Sequence, residues 1–183
     1  MKVLIVFESG HGQAEKVANR LAEMVRTEGH FVSVARASQR PEIGEFDAVI
    51  AGGSVHMGKL QKELIRWGHT RCDELVAKRT ALFSVSVAAR RRFGAGQREV
   101  AKGFAHFIAN TGWTPDRLWP VAGALKYSMY PFHIKAVMKL IAWMSNGDTD
   151  TTRDYEYTDW NAVDELGRSF ARTLTPSTKA EAA

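Results

Sequence analysis

The chain has 183 residues, 45% of them hydrophobic, which is enough to bury one substantial core and short for two domains. Its single cysteine, Cys72, excludes an internal disulfide and a multi-cysteine metal site, and no apolar run reaches the ~20 residues of a membrane-spanning helix. Twenty-five Lys and Arg against twenty Asp and Glu leave a formal charge of +5, which suits an anionic partner: a carboxylated or phosphorylated small molecule, an anionic membrane face, or nucleic acid.

Residues 2–7 (KVLIVF) are β-branched and apolar and read as a first strand, with no cleavable leader before it. A glycine-containing turn follows, then a helix on the spacing of Val17, Leu21, Met24 and Val25, closed by Gly29. His30 to Ala35 alternates as a second strand, and Asp47 to Gly52 reads as a third, buried one. Leu60 to Val76 is predicted as one helix; Cys72 falls inside it and reads as a packed thiol without a partner. Thr80 to Val87 is a fourth strand, Gln97 to Ala109 a helix, and Leu118 to Leu125 a fifth strand. Lys126 to Tyr157 then reads as an insertion of about 126–157 before a last helix, which Thr158-Asp159 caps and Val163, Leu166 and Phe170 anchor. The domain is predicted to span residues 1–174, with a small, polar, disordered tail over 175–183.

Strands alternating with helices imply a five-stranded, mostly parallel, doubly wound α/β sheet covered on both faces. Ligands of such sheets sit beyond the carboxyl ends of the strands, which selects the loops 8–14, 53–59 and 87–96.

In the first loop, Ser9-Gly10-His11-Gly12-Gln13-Ala14, backbone N–H groups and the dipole of the following helix suit a phosphate; an ordinary βα turn is the alternative. Glu15 stands where a dinucleotide fingerprint needs a third glycine, so a monophosphate is the better guest. The second loop carries Gly53-x-x-x-x-Gly58-Lys59, a near match to a triphosphate loop, but Leu60 replaces the Mg²⁺-binding hydroxyl and the match reads as coincidence. Ser54, Val55, His56 and Met57 can instead line a flat ring, although His56 also fits an exposed loop histidine. The third loop sets Arg90, Arg91 and Arg92 beside the cleft as carboxylate or phosphate ligands, against the alternative of a solvated basic loop. Within the insertion, Pro131 to Met144 has an apolar face (Phe132, Ala136, Val137, Leu140, Ile141, Met144) edged by Lys135 and Lys139. Packing on the domain, lining a hydrophobic site and lying on an anionic bilayer all fit it.

The stretch Phe7 to Ala18 is similar to the flavodoxin phosphate loop, Ser-x-Thr-Gly-x-Thr: Ser9 and Gly12 match, while His11 and Ala14 replace two hydroxyls. The segments 83–90 (FSVSVAAR), 113–117 (WTPDR), 122–127 (AGALKY), 147–151 (GDTDT) and 157–160 (YTDW) together resemble the quinone-dependent protoporphyrinogen dehydrogenases of bacteria, over residues 1 to about 173 and including the insertion. The resemblance implies a flavodoxin-like fold, FMN as cofactor, oxidation of protoporphyrinogen IX to protoporphyrin IX in heme biosynthesis, and electron transfer to a membrane quinone. It implies a cytoplasmic chain held peripherally at the inner, anionic face of the membrane, with no nucleic-acid partner.

On that reading FMN rests its phosphate on Ser9 to Ala14 and its ring between Ser54, Val55, His56, Met57 and the run Ser84, Val85, Ser86, Val87, Ala88, Ala89, Arg90. Flavin N5 takes hydride from a substrate meso carbon, and three two-electron cycles with quinone reoxidation complete the six-electron aromatisation. Arg90, Arg91 and Arg92 suit the propionates, and Tyr127 and Tyr130 can stack on a ring or pack in the insertion. The proton acceptor is open, with His56 and His133 as candidates by type. The rival functions are a flavodoxin-type electron carrier, an NAD(P)H:quinone reductase and an FMN-free interaction domain.

Overall fold

The structure is a computed structural model that describes residues 1–90, 94–125, 150 and 152–174. Strand β1 (Lys2–Glu8) precedes helix α1 (Gln13–Thr27) and β2 (Phe31–Arg36); β3 (Ala48–His56) turns into the short β4 (Lys59–Leu60), followed by α2 (Lys62–Thr70) and α3 (Cys72–Val76). Next come β5 (Arg79–Ser86), α4 (Ala95–Thr111), β6 (Arg117–Ala122), β7 (Ala124–Leu125), β8 (Tyr155–Glu156) and α5 (Trp160–Leu174). Five strands are parallel in the order β2-β1-β3-β5-β6, and the order reverses between β1 and β3. The expected doubly wound sheet is present, and its switch point lies between the loops after β1 and β3.

Alternate residues of β1 feed two cores. Val3, Ile5 and Phe7 join α1 and α5 on one face, and Leu4 and Val6 join α2 and α4 on the other. Both faces being covered explains why these strands are runs of apolar residues rather than alternations. Helix α1 closes on Gly29, whose φ of +87° follows the last turn.

The predicted helix over 60–76 is three elements. Lys59–Leu60 pairs antiparallel with Val55 and His56, α2 starts at Lys62, and the chain breaks again at Arg71 before α3. This also removes the triphosphate-loop match, because Gly53 lies inside β3 and Gly58 in a hairpin turn rather than in a loop entering a helix. The fifth strand is shorter than expected: it leaves the sheet at Gly123, whose N–H bonds Ser86 O at 3.0 Å, and Ala124–Leu125 pairs instead with Tyr155–Glu156. Asp159 caps α5 as expected, its carboxylate accepting the Ala162 N–H at 3.0 Å. The predicted tail 175–183 and residues 126–149 of the predicted insertion, including the predicted helix 131–144, Tyr127, Tyr130 and His133, lie outside the described residues, as do Arg91 and Arg92.

Helices α1 and α5 are clamped by Arg20, whose Nε and Nη2 reach the two Asp164 oxygens at 2.6 and 2.7 Å. The hydrogen bonds from Arg20, and its charge, hold the Asp164 carboxyl below the ordinary carboxylate range. A depressed carboxyl stabilises the fold above its unfolded pKa, and that contribution is lost as pH falls through the folded value. We expect Asp164→Asn to lower Tm at pH 7 by a few degrees and to flatten the fall in Tm below pH 4, measured by thermal denaturation across pH.

Candidate functional site

The site builds upward from the end of β1. Glu8 is buried, its Oε2 accepting the Ser38 N–H at 3.0 Å and its Oε1 approached by Arg36 at 3.4 Å. Arg36 continues to Glu15 at 2.6 Å and lies 5.0 Å from the Phe7 ring centroid, so the strand end is braced against α1 and β2 before the loop starts. The loop then passes through Gly12, whose φ of +81° at the N-cap of α1 is the region that disfavours a side chain. Gln13 and Ala14 are buried in the first helical turn. The N-terminus of α1 opens at this end of the sheet, directly after β1, an arrangement suited to a phosphate.

Loops after β1 and β3 meet directly. Gly10 donates its N–H to Ser54 Oγ at 3.3 Å, and the His11 and His56 rings lie 5.7 Å apart. A Cβ on Gly10 would stand 3.1 Å from His56 Nε2 and 3.4 Å from Gln61 Nε2, and one on Gly53 would stand 2.9 Å from Glu8 O. Close approach to backbone thus requires the glycine at 53, while at 10 a side chain would press on the ends of His56 and Gln61. Val55 pairs with Leu60 and packs partly into the core, while Met57, at φ +50°, is fully exposed.

Ser84 and Val85 stand within β5, opposite Gly53 and Ser54, and are buried. Ser86 Oγ accepts the Ala89 N–H at 3.2 Å and so shapes the turn Val87 to Arg90. In that turn Ala88 and Ala89 pack partly against the core, Val87 is exposed, and the Arg90 guanidinium lies 4.5 Å from the Tyr157 ring centroid.

Among the described residues four of the five buried side-chain polar atoms without a hydrogen-bond partner lie at this same end of the sheet; the fifth, Trp113 Nε1, lies ahead of β6. The four are Ser9 Oγ, Gln13 Oε1, Gln61 Oε1 and Ser84 Oγ. Such orphans are uncommon in folded proteins and gather where a ligand completes them. Gln61, which sequence reasoning missed, precedes α2 and projects its amide between the two loops. The sequence suggests Thr158 as part of a cap; its hydroxyl instead donates to Ala122 O at 2.7 Å and accepts from Gln13 Nε2 at 2.9 Å. No spacing rule links residues 13 and 158, so only tertiary structure could reveal that contact.

His56 is exposed, as a loop histidine is expected to be, yet partial desolvation of its ring, and after it the like charge of His11, set the imidazole below its ordinary 6.5. This direction favours the neutral imidazole. Because the unfolded chain binds the proton more readily, stability from this residue is complete above about 6.5 and declines as pH falls. Replacing His56 by Gln should flatten the Tm profile between pH 7 and 5, which thermal scans in a buffer series will read.

Among the described residues no helix is long and apolar enough to cross a membrane, and no cluster of His, Cys, Asp and Glu is placed to hold a metal. Comparison with known proteins gives three findings. Residues 4–152 match the flavodoxin domain family. The chain is similar to the protoporphyrinogen IX dehydrogenase (quinone) of Escherichia coli strain K12, 31% identical over 93% of this chain and 95% of that one, and to the same-named protein of Leishmania major, 25% identical over 93% and 74%. In structure it resembles oxidised flavodoxin 1 of Bacillus cereus, with a TM-score of 0.57 and 16% identity over 96% of this chain and 100% of that one.

Proposed function

Since the chain belongs to the flavodoxin domain family, and within it to the family of the Escherichia coli protoporphyrinogen IX dehydrogenase (quinone), we propose that it is an FMN-dependent enzyme that oxidises protoporphyrinogen IX and passes the electrons to a quinone. The likeness over nearly the full length of both chains carries this reading.

The residues present fit the cofactor. Ser9 Oγ and Gln13 Oε1 are buried at the α1 N-terminus without partners, and the bare Cα atoms of Gly10 and Gly53 let the backbone of the two loops approach closely. Ser9 Oγ and the N–H groups from His11 to Ala14 would hold the phosphate, with Gly10, whose N–H is donated to Ser54 Oγ, tying the two loops together; Ser54 to Met57 and Ser84 to Arg90 would flank the ring. His11, in a position where flavodoxins carry a hydroxyl, supplies an imidazole to the same loop. When bound, FMN supplies two-electron redox chemistry. The protein orients and shields: Val87 and Met57 present apolar surface at the mouth, and the neutral His56 imidazole is able to accept a proton there.

Arg90 would take a propionate, and Arg91, Arg92, Tyr127 and Tyr130 remain substrate-side candidates on sequence alone. The basic, amphipathic sequence of 131–144 supports a peripheral position at an anionic, quinone-bearing membrane from the cytoplasmic side.

Anaerobic mixing of FMN-loaded protein with protoporphyrinogen IX and a menaquinone analogue should produce porphyrin fluorescence that continues only while quinone remains. Quinone reduction that requires NADPH and ignores the porphyrinogen would assign a reductase instead, and redox exchange with neither an electron carrier.

A further inference from the structure

Where the insertion rejoins the domain, residues 153–157 alternate. Odd positions are Arg153, Tyr155 and Tyr157, even ones Asp154 and Glu156. Side chains two apart on a strand share a face at roughly 6.6 Å, and the Tyr155 and Tyr157 rings stack at 6.3 Å with planes 8° apart. The Arg153 guanidinium lies 5.1 Å from the Tyr155 centroid, and Arg90, from the loop after β5, lies 4.5 Å from that of Tyr157. An Arg-Tyr-Tyr-Arg ladder results, with its last rung supplied by a different loop. On the opposite face Glu156 bonds Trp160 Nε1 at 2.9 Å and pairs with Lys16 at 3.5 Å.

The ladder is anchored. Tyr157 donates its N–H to Gly123 O at 3.0 Å, and Gly123 donates to Ser86 O at 3.0 Å, so ring and arginine loop hang from one short backbone relay at the end of β5 and β6. Thr158, the next residue, ties the same segment to Ala122 O and, through Gln13 Nε2, to the first turn of α1. Thus 157–158 touches both the loop read as substrate-binding and the loop read as cofactor-binding. An aromatic face engages the flat face of a guanidinium, while the in-plane N–H donors that read a carboxylate stay outside the ring contact. With its Cζ held 4.5 Å over the Tyr157 ring, the Arg90 guanidinium has fewer orientations open to its fork than one in solvent.

We propose that Tyr157 is a positioning residue: it sets the orientation of Arg90 and thereby the selectivity of the site for a substrate bearing a carboxylate. This rests on the reading of Arg90 as a propionate ligand. Tyr157 itself need not touch substrate.

The test uses the FMN-loaded full chain, with protoporphyrinogen IX and its dimethyl ester as paired substrates and FMN affinity as an independent readout. Tyr157→Leu is expected to raise KM for the diacid about 3- to 30-fold, with kcat within about twofold and FMN affinity unchanged, and to shrink the preference for diacid over ester. Tyr157→Phe keeps the ring and should behave as the parent. Arg90→Lys, an exposed change that keeps charge and removes the planar fork, should reproduce the Leu phenotype. The double variant Arg90→Ala/Tyr157→Leu should be no worse than Arg90→Ala alone, since both act on one contact.

If Arg90→Ala raises KM and Tyr157→Leu does not, the positioning role is overturned while the Arg90 reading stands. If Arg90→Ala itself leaves KM and the diacid preference untouched, the parent reading fails. Loss of FMN affinity in Tyr157→Leu, or a KM rise in Tyr157→Phe equal to that in Leu, would also overturn the proposal, by assigning Tyr157 to the cofactor loop or to its hydroxyl.

Discussion

Ser9→Ala is expected to weaken FMN binding about ten- to a hundredfold while leaving the cofactor-free protein at least as stable as the parent. The two effects have opposite signs for one reason. Ser9 Oγ is buried without a hydrogen-bond partner at the mouth of α1, so the folded chain gains nothing from it alone. A hydrogen bond to a charged phosphate contributes about 1.5–3 kcal/mol, and each 1.4 kcal/mol is about tenfold in affinity. Calorimetric titration with FMN and thermal unfolding of the cofactor-free protein measure the two quantities separately. Unchanged affinity would remove Ser9 from the cradle, and a fall in stability without FMN would make it a structural hydroxyl.

Gly52→Ala should be the most damaging added methyl among the described glycines. Gly52 pairs across the sheet with Phe83, and a Cβ there would stand 2.3 Å from the Phe83 ring carbons Cδ1 and Cγ. Phe83 has no solvent-accessible surface, so its ring cannot swing aside without displacing its neighbours in the core. Overpacking of this kind costs about 1–3 kcal/mol and occasionally more. For a chain of this size that corresponds to a drop in Tm of roughly 2–12 °C. Adding Phe83→Leu removes the ring that the methyl strikes, so the double variant should recover part of the loss. Recovery absent, or a single variant with parental Tm, would mean that β3 and β5 tolerate a shift that their register does not suggest.

Much of the site was legible because βα chemistry is local. A β-branched run, a glycine turn and an amphipathic helix place Ser9 to Ala14 at a strand end whatever lies elsewhere. The same holds for Val87 to Arg90. Less legible was the region between residues 57 and 76, where apolar spacing over 60–76 suggested one helix. The antiparallel turn through Met57 and Gly58 back onto β3 is a tertiary pairing, and the break at Arg71 is where α2 ends and α3 begins. Gln61 was hidden by that error, since a residue expected inside a helix is not expected between two loops. Arg153, Tyr155 and Tyr157 carried a visible period of two, but their partner Arg90 lies more than sixty residues away in the chain.

The amino-acid sequence by itself determined the alternation of strands and helices, the two covered faces of the sheet and which turns end at its carboxyl edge. These follow from hydrophobic period and turn residues, which act over a few positions. Tertiary structure alone decided that Glu8 and Arg36 brace the first loop, that Gln13 meets Thr158, and that Tyr157 carries Arg90. Those contacts join segments brought together by strand order. Hydrogen bonds and ring stacking act over only a few ångströms, so they become visible only once the chain has folded.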